Sequence, residues 1–561
     1  MMLKNVLPCP VRATVGVIVF LLLLPSLLHA SSGVTGYKVV QINPSGATSA
    51  YASAVNKSST VVGVFTAANG ATEGFQLKGT KYTTIVFPGS NNFTRASGIN
   101  DSGLVVGDFL GTDSFYHGYM FSKGKYTQYD VDKGVLSTSI FGVNNSGNFV
   151  GSVGCCGNPT QGFVNISGTV TEFYATGTDS TYAYAINNSN DAVGEYLDAQ
   201  NNAHGFYRDS SGNITLINYP GATQTVCLGI NDSGLISGQY VDSSGQPHGF
   251  SDSAGVFTTL SFYSASDINN TGLVAGSYVG PGAPGGVLYG FLATPKTFAS
   301  FSTIQVPGAQ STSIYDINDS KAMVGQYTDS SGVNHGLLYA KNKVTNLDDP
   351  SAEAGTTYAE GINSSGQIVG AYVNPSNVLV GFLYSSGTYT DIAPPGATCT
   401  QADGINDSGL IAGVYCDSSG VEHGFTYNGS TYTTVDVPGA QWSFGWGVND
   451  SGSITLIWGD ANGQTEAALY NGSTFTTINV PGAYNTNAHS INKSGDIVFS
   501  WTDGEGNDHG AILSAGSYYV FDVPASDGSS TRCDGINDSG EVVGRFVPTG
   551  TSVYEGYQGK L

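Results

Sequence analysis

Charge is scarce in this chain. Asp, Glu, Lys and Arg make up 11% of its 561 residues, and 19 basic residues stand against 42 acidic ones. A balance of −23 with no basic cluster excludes nucleic acid and argues against an anionic membrane as partner. After residue 24 there is no long apolar run, so no membrane span is expected in the mature protein. The 3.6-residue apolar period of a helix is absent throughout. No CxxC spacing occurs among seven cysteines, so neither a metal cluster nor a disulfide framework is indicated. The pattern Asp-x-Asp-x-Asp-Gly is missing too. Disorder is excluded by what is present: 40% hydrophobic residues, 11% aromatics and 78 glycines.

Residues 1–30 differ from the rest. Lys4 and Arg12 precede an apolar run from Val15 to Leu24, followed by Pro25 and by Leu28-His29-Ala30 before two serines. A positive start, a short apolar stretch and a small residue at the cut predict a secretory signal peptide. The mature chain is expected to begin near Ser31 and to be exported, extracellular or periplasmic. Six cysteines remain in it: Cys155, Cys156, Cys227, Cys399, Cys416 and Cys533. Cys399 and Cys416 flank a single turn and could pair within one repeat.

The remainder is one unit copied. Aligned on the Asn of an Ile-Asn or Val-Asn pair, the copies fall at Asn56, Asn100, Asn144, Asn187, Asn231, Asn269, Asn318, Asn363, Asn406, Asn449, Asn492 and Asn537. The steps are 43 to 45 residues except in mid-chain, where 38 precedes 49. Each copy alternates four short strand patterns with turn chemistry. A segment ending in Ile-Asn is followed by an Asn-Asp-Ser-Gly turn. The second strand resembles Leu104-Val-Val-Gly-Asp-Phe109, the third resembles His423-Gly-Phe-Thr-Tyr427, and the fourth runs toward Pro-Gly-Ala. Four strands in about 44 residues predict a β-propeller blade. Seven residues after the Asn stands Gly in ten copies (Leu456 and Phe499 excepted), and nine after it an aromatic in eleven. A ring beside a missing side chain suggests blades packed ring over gap.

The chain ends and its middle decide the number of rings. Tyr37–Ile42 is a fourth strand without a repeat of its own, whereas the last copy stops after its third strand. The same pairing recurs where the sixth copy ends near Ala293 and Phe301–Val306 restarts the pattern. We therefore expect a signal peptide at 1–30, a six-bladed propeller over 36–294, a linker at 295–299 and a second six-bladed propeller over 300–561. Each ring would be closed by its N-terminal strand. One larger ring or another β-repeat array is the alternative.

Tandem Gly-Ile-Asn-Asp-Ser-Gly, Val-Val-Gly and His-Gly-Phe motifs resemble the bacterial extracellular HAF-repeat family. His117, His204, His248, His335, His423 and His509 fill the family's third-strand His. Glu73, Gln161, Val380 and Glu466 replace it elsewhere. The resemblance covers the mature chain and implies export, but it brings no catalytic residues.

Candidate chemistry must lie where the copies disagree. The six histidines fall on different blades and read as structural hydrogen-bonding groups. The acidic turns raise the possibility of Ca²⁺, yet one Asp per turn falls short of the six to eight oxygens calcium gathers. No other cofactor is indicated. Three residues before each Asn, the second half carries Tyr315, Glu360, Asp403, Trp446, His489 and Asp534. The first half carries Ser53, Ser97, Phe141, Tyr184, Leu228 and Ser266, a smaller and blander set. These positions are expected to ring a channel mouth. In the second half they would form a polar, aromatic-lined pocket suited to a sugar or a cation. All four tryptophans, Trp442, Trp446, Trp458 and Trp501, fall nearby, where they could fill space near Leu456 and Phe499. Two functions follow from this reading. One is a secreted binding or scaffold protein with a glycan or cell-surface partner. The alternative is a polysaccharide lyase or hydrolase whose acid–base groups would be Glu360, Asp403, His489 and Asp534.

Overall fold

The computed structural model describes residues 35–131, 137–154, 159–177, 179–260, 262–279, 288–504, 506–523 and 526–560. The expected signal peptide and the pair Cys155 and Cys156 lie outside the described residues. Every regular element among them is a strand. No helix there is long and apolar enough to cross a membrane.

Twelve four-stranded antiparallel blades follow the repeat. The blade of Asn100 is built from Thr94–Ile99, Val105–Leu110, Tyr116–Ser122 and Lys125–Tyr129, hydrogen-bonded in that order. The turn after Asn100 is set by its side chain. Asn100 Oδ1 accepts from the Ser102 and Leu104 amides at 3.1 and 3.0 Å. Gly103 sits at φ +81°, where L side chains are strained. The cross-strand partner of Gly107 is Tyr119, whose ring covers the space a Cβ would need. The ring over the gap is therefore a third-strand aromatic of the same sheet, not the second-strand aromatic expected from a neighbouring blade. Cross-strand neighbours in one sheet lie closer than residues of two packed sheets. The exceptions confirm the trade: Leu456 faces Ala468 and Phe499 faces Ala511. Those alanines make room for the larger second-strand residues, and Trp458 and Trp501 pack in the same clusters as Leu456 and Phe499.

Both rings close. The Nδ2 of each repeat Asn donates to the carbonyl of the next Asn at 2.9–3.4 Å. Asn269 returns to Asn56, and Asn537 returns to Asn318, giving two separate six-membered rings. Strand Thr35–Ile42 completes the blade of Asn269 by pairing with Leu288–Thr297. Strand Ser300–Ile304 completes the blade of Asn537 by pairing with Glu555–Lys560. The fold is thus two six-bladed β-propellers, each closed by its N-terminal strand.

The segment between the rings corrects one expectation. Residues 295–297 of the expected linker belong to strand Leu288–Thr297, and Phe298 is buried against Phe521 and Val523. The free edge of Thr35–Ile42 also pairs with Ser517–Phe521 of the second ring, Lys38 opposite Tyr519. One hydrogen-bonded sheet therefore runs from a blade of one propeller into a blade of the other. Val39, Phe262 and Tyr278 share a core with Val480, Trp501 and Val520. An edge strand that would otherwise stand open is covered in this way.

Candidate functional site

In every blade the register between the first two strands skips at the residue three before the Asn. Ala96 pairs with Gly107 and Gly98 with Val106, leaving Ser97 out of the ladder. Such a bulge re-aims a side chain. The variable position is therefore the bulged residue, and it points into the channel.

In the second ring these side chains sit inside the channel, not at its mouth. Tyr315, Glu360, Trp446, His489 and Asp534 line a cavity of about 300 Å³ together with Tyr358, Leu379, Gln401 and Arg545. All six blades contribute. Asp403 lines a narrower hollow of about 80 Å³ on the turn side, which Tyr315, Glu360, Trp446 and Asp534 also border. The Gln401 amide links the two by donating to Asp403 Oδ1 at 2.7 Å. The six expected residues are thus brought together, with their bulges forming the level that divides the channel.

Burial dominates the electrostatics. It pushes the Glu360 carboxyl up to about 7; Arg545 opposes that rise, and Asp534 adds to it. Asp403 is held well above the usual carboxylate range by burial and then by the nearby Glu360 charge. His489 is lowered to about 4 by burial, although Asp534 works the other way. Its Nε2 lies 2.5 Å from Ser500 Oγ and 3.7 Å from Asp534 Oδ1, and its ring meets Trp446 edge-on at 4.6 Å. Arg545 lies over Tyr315 and Tyr554, with ring centroids 4.9 and 5.5 Å away. Its Nε stands 3.9 Å from Asp534 Oδ2. Three buried polar atoms here make no hydrogen bond among the described residues: His489 Nδ1, Asp534 Oδ2 and Arg545 Nε.

The first ring keeps its smaller residues at the bulges and carries charged groups beside them. Arg95 donates Nε and Nη2 to the two oxygens of Asp108 at 2.8 and 2.6 Å, and Ser139 donates to Asp108 Oδ2 at 2.6 Å. Tyr184 donates to Glu195 at 2.6 Å. These charged groups come from five and eight residues away from the repeat Asn. Tyr358, Gln401 and Arg545, which sequence reasoning missed, occupy the same two positions in the second ring. A signal existed: among twelve copies, the position eight after the Asn is cationic only at Arg545.

The recurrent histidines are structural in geometry. His509 packs at a tilt against Trp501, ring centroids 4.5 Å apart, with Nδ1 on Asp522 at 2.9 Å and Nε2 on Asp503 at 3.2 Å. Burial works against its charge, yet the two aspartates raise it to about 10. The loop aspartates expected as possible calcium ligands are otherwise engaged: Asp242 Oδ1 accepts the Ser244 and Gln246 amides and Oδ2 meets His248. Among the described residues no group of three or more His, Cys, Asp or Glu is arranged to hold a metal ion. Cys399 and Cys416 form a disulfide across neighbouring strands, where the blades of Asn56 and Asn318 carry hydroxyl pairs, Ser49–Thr66 and Ser311–Thr328. None of the four tryptophans is exposed.

A two-ring propeller with a polar cavity in one channel is the class defined by this geometry. No protein-family model matches the chain, and no curated protein matches it. Among solved structures it is similar to the six-bladed fungal lectin of Aleuria aurantia, at 15% identity over 46% of this chain and 93% of that one, TM-score 0.31. It is also similar to AofleA from Arthrobotrys oligospora, at 12% identity over 46% and 86%, TM-score 0.33. The BP39L lectin from Burkholderia pseudomallei gives 11% identity over 60% and 95%, TM-score 0.25.

Proposed function

We propose that the chain is an exported binding protein whose second propeller holds one sugar residue of a glycan in its channel. The observation that carries this reading is that three residues with a buried polar atom unpaired among the described residues, His489, Asp534 and Arg545, line one cavity with Trp446, Tyr358 and Tyr315. Buried polar groups are ordinarily paired, because leaving one unpaired costs about 1–3 kcal/mol. A ligand that supplies hydroxyls beside an aromatic face answers both features at once. The cavity is of ligand-pocket size, and the HAF-like repeats support an extracellular setting. Calcium is not required by this reading. The test is a saccharide panel on the full mature chain, followed by calorimetry. Binding is expected, weakened at least tenfold by Trp446→Ala. Absence of binding across the panel, or an unchanged affinity in the variant, overturns the proposal.

A second reading, glycan cleavage by a lyase or hydrolase, is favoured by one observation. Glu360 is held near 7 beside Arg545 and Asp534, a poise suited to proton transfer. Product analysis separates the two readings: cleavage lost in Glu360→Gln with binding retained supports the enzyme.

A further inference from the structure

The unpaired atoms in the second ring differ in what they ask of a ligand. Asp534 Oδ2 accepts only. Arg545 Nε donates only, and the two stand 3.9 Å apart without a hydrogen bond. The guanidinium is fixed by aromatic rings, Tyr315 and Tyr554. Nε is buried beside these rings and has no hydrogen-bond partner among the described residues. His489 Nδ1 completes the set, with Nε2 already engaged by Ser500 Oγ.

Resting on the sugar-binding reading above, we infer that Asp534, Arg545 and His489 form a clamp for two adjacent hydroxyls of an uncharged sugar residue. One hydroxyl donates to Asp534 Oδ2 while accepting from Arg545 Nε, so both unpaired atoms are met by one group. Its neighbour meets His489 Nδ1, and a hydroxyl can do so in either imidazole tautomer, being both donor and acceptor. Charge sets the exclusion. A sugar carboxylate brought here would face Asp534, whose charge already competes for Arg545, the one cation lining this cavity among the described residues. An ammonium group would be placed against Arg545. A neutral diol avoids both conflicts and leaves no buried charge uncompensated. This assigns Arg545 as a specificity-determining residue, pinned by Tyr315 and Tyr554.

Calorimetry on the full mature chain tests the clamp with matched methyl glycosides. The set comprises the neutral glycoside bound most tightly, its uronide of the same stereochemistry, and its deoxy analogues lacking one hydroxyl of the pair. The uronide and at least one deoxy analogue are each expected to bind at least tenfold more weakly. Arg545→Lys, which keeps the charge but changes the donor geometry, is expected to weaken the neutral glycoside at least tenfold with an unchanged urea midpoint. Asp534→Asn serves if the lysine variant does not fold. A uronide bound as tightly as the neutral sugar overturns the clamp while sugar binding stands, as do deoxy analogues all bound within twofold. Failure of every saccharide to bind overturns the underlying reading and the clamp with it.

Discussion

The two rings share one frame and differ in how they settle the charges inside it. In the first, Arg95 and Asp108 form a two-point pair closed by Ser139, and Tyr184 answers Glu195. In the second, Arg545 Nε and Asp534 Oδ2 stand 3.9 Å apart, and neither has a hydrogen-bond partner among the described residues. The position eight after the repeat Asn thus takes part in a structural ion pair in one ring, with the residue five before the Asn, and in an unsatisfied couple in the other, with the residue three before it. A repeat frame that is hydrogen-bonded through its Asn rings can tolerate either outcome, because the bulged residues stand outside the strand ladder.

The sharpest way to break this comparison is to remove each arginine. Arg95→Leu strands a fully buried carboxylate and is expected to cost about 3–5 kcal/mol in urea unfolding. Arg545→Leu should cost less than half as much, since it removes no direct hydrogen bond, yet abolish ligand binding. Equal costs would erase the distinction between the channels.

The core offers the next effect. Phe499→Gly is expected to destabilise the second ring by about 3–4 kcal/mol through the cavity left beside Ala511. Adding Ala511→Phe should recover at least half of that loss by restoring the ring-over-glycine arrangement seen at Gly107 and Tyr119. Additive losses in the double variant would show that the two arrangements are not interchangeable.

Alkaline pH should also weaken the second ring. The folded pKa of His509 lies near 10, above the ordinary 6.5, so its contribution is fully present below about pH 6.5 and is lost as pH rises toward 10. A fall on the order of 3 kcal/mol between pH 6.5 and 9 is expected from this group. His509→Gln should flatten that limb, and an identical limb in the variant would assign it elsewhere.

The smallest effect concerns the disulfide. Replacing Cys399 and Cys416 by Ser and Thr opens a 17-residue loop but recreates the hydroxyl pairs of sister blades. A net loss of about 1–2 kcal/mol is expected, below that of a bridge removed without compensation. Ring-resolved hydrogen exchange should register it in the second propeller and leave the first unchanged.

Much of this was legible in the chain. Ring closure followed from two loose fourth strands, Tyr37–Ile42 and Phe301–Val306, because each supplied what the last blade of its half lacked. The candidate site was legible as disagreement between copies, since Glu360, Asp403 and His489 stand where the frame dictates nothing. Arg545 escaped because it lies on the second strand, far from the bulge in sequence. Only antiparallel pairing brings it level with Asp534. The linker was misread for a similar reason: Pro295 and Lys296 look like a break, yet they extend a strand whose partner, Thr35–Tyr37, is some 260 residues away.

The sequence by itself determined the unit, the count of twelve and the chemistry of the turns, because those depend on interactions within a few residues of each Asn. Tertiary structure alone decided which charges meet. Strand pairing and the bulge set the height and direction of each side chain in the channel. Thus Arg95 is neutralised in the first ring, whereas in the second Arg545 lines the cavity with its Nε unpaired among the described residues.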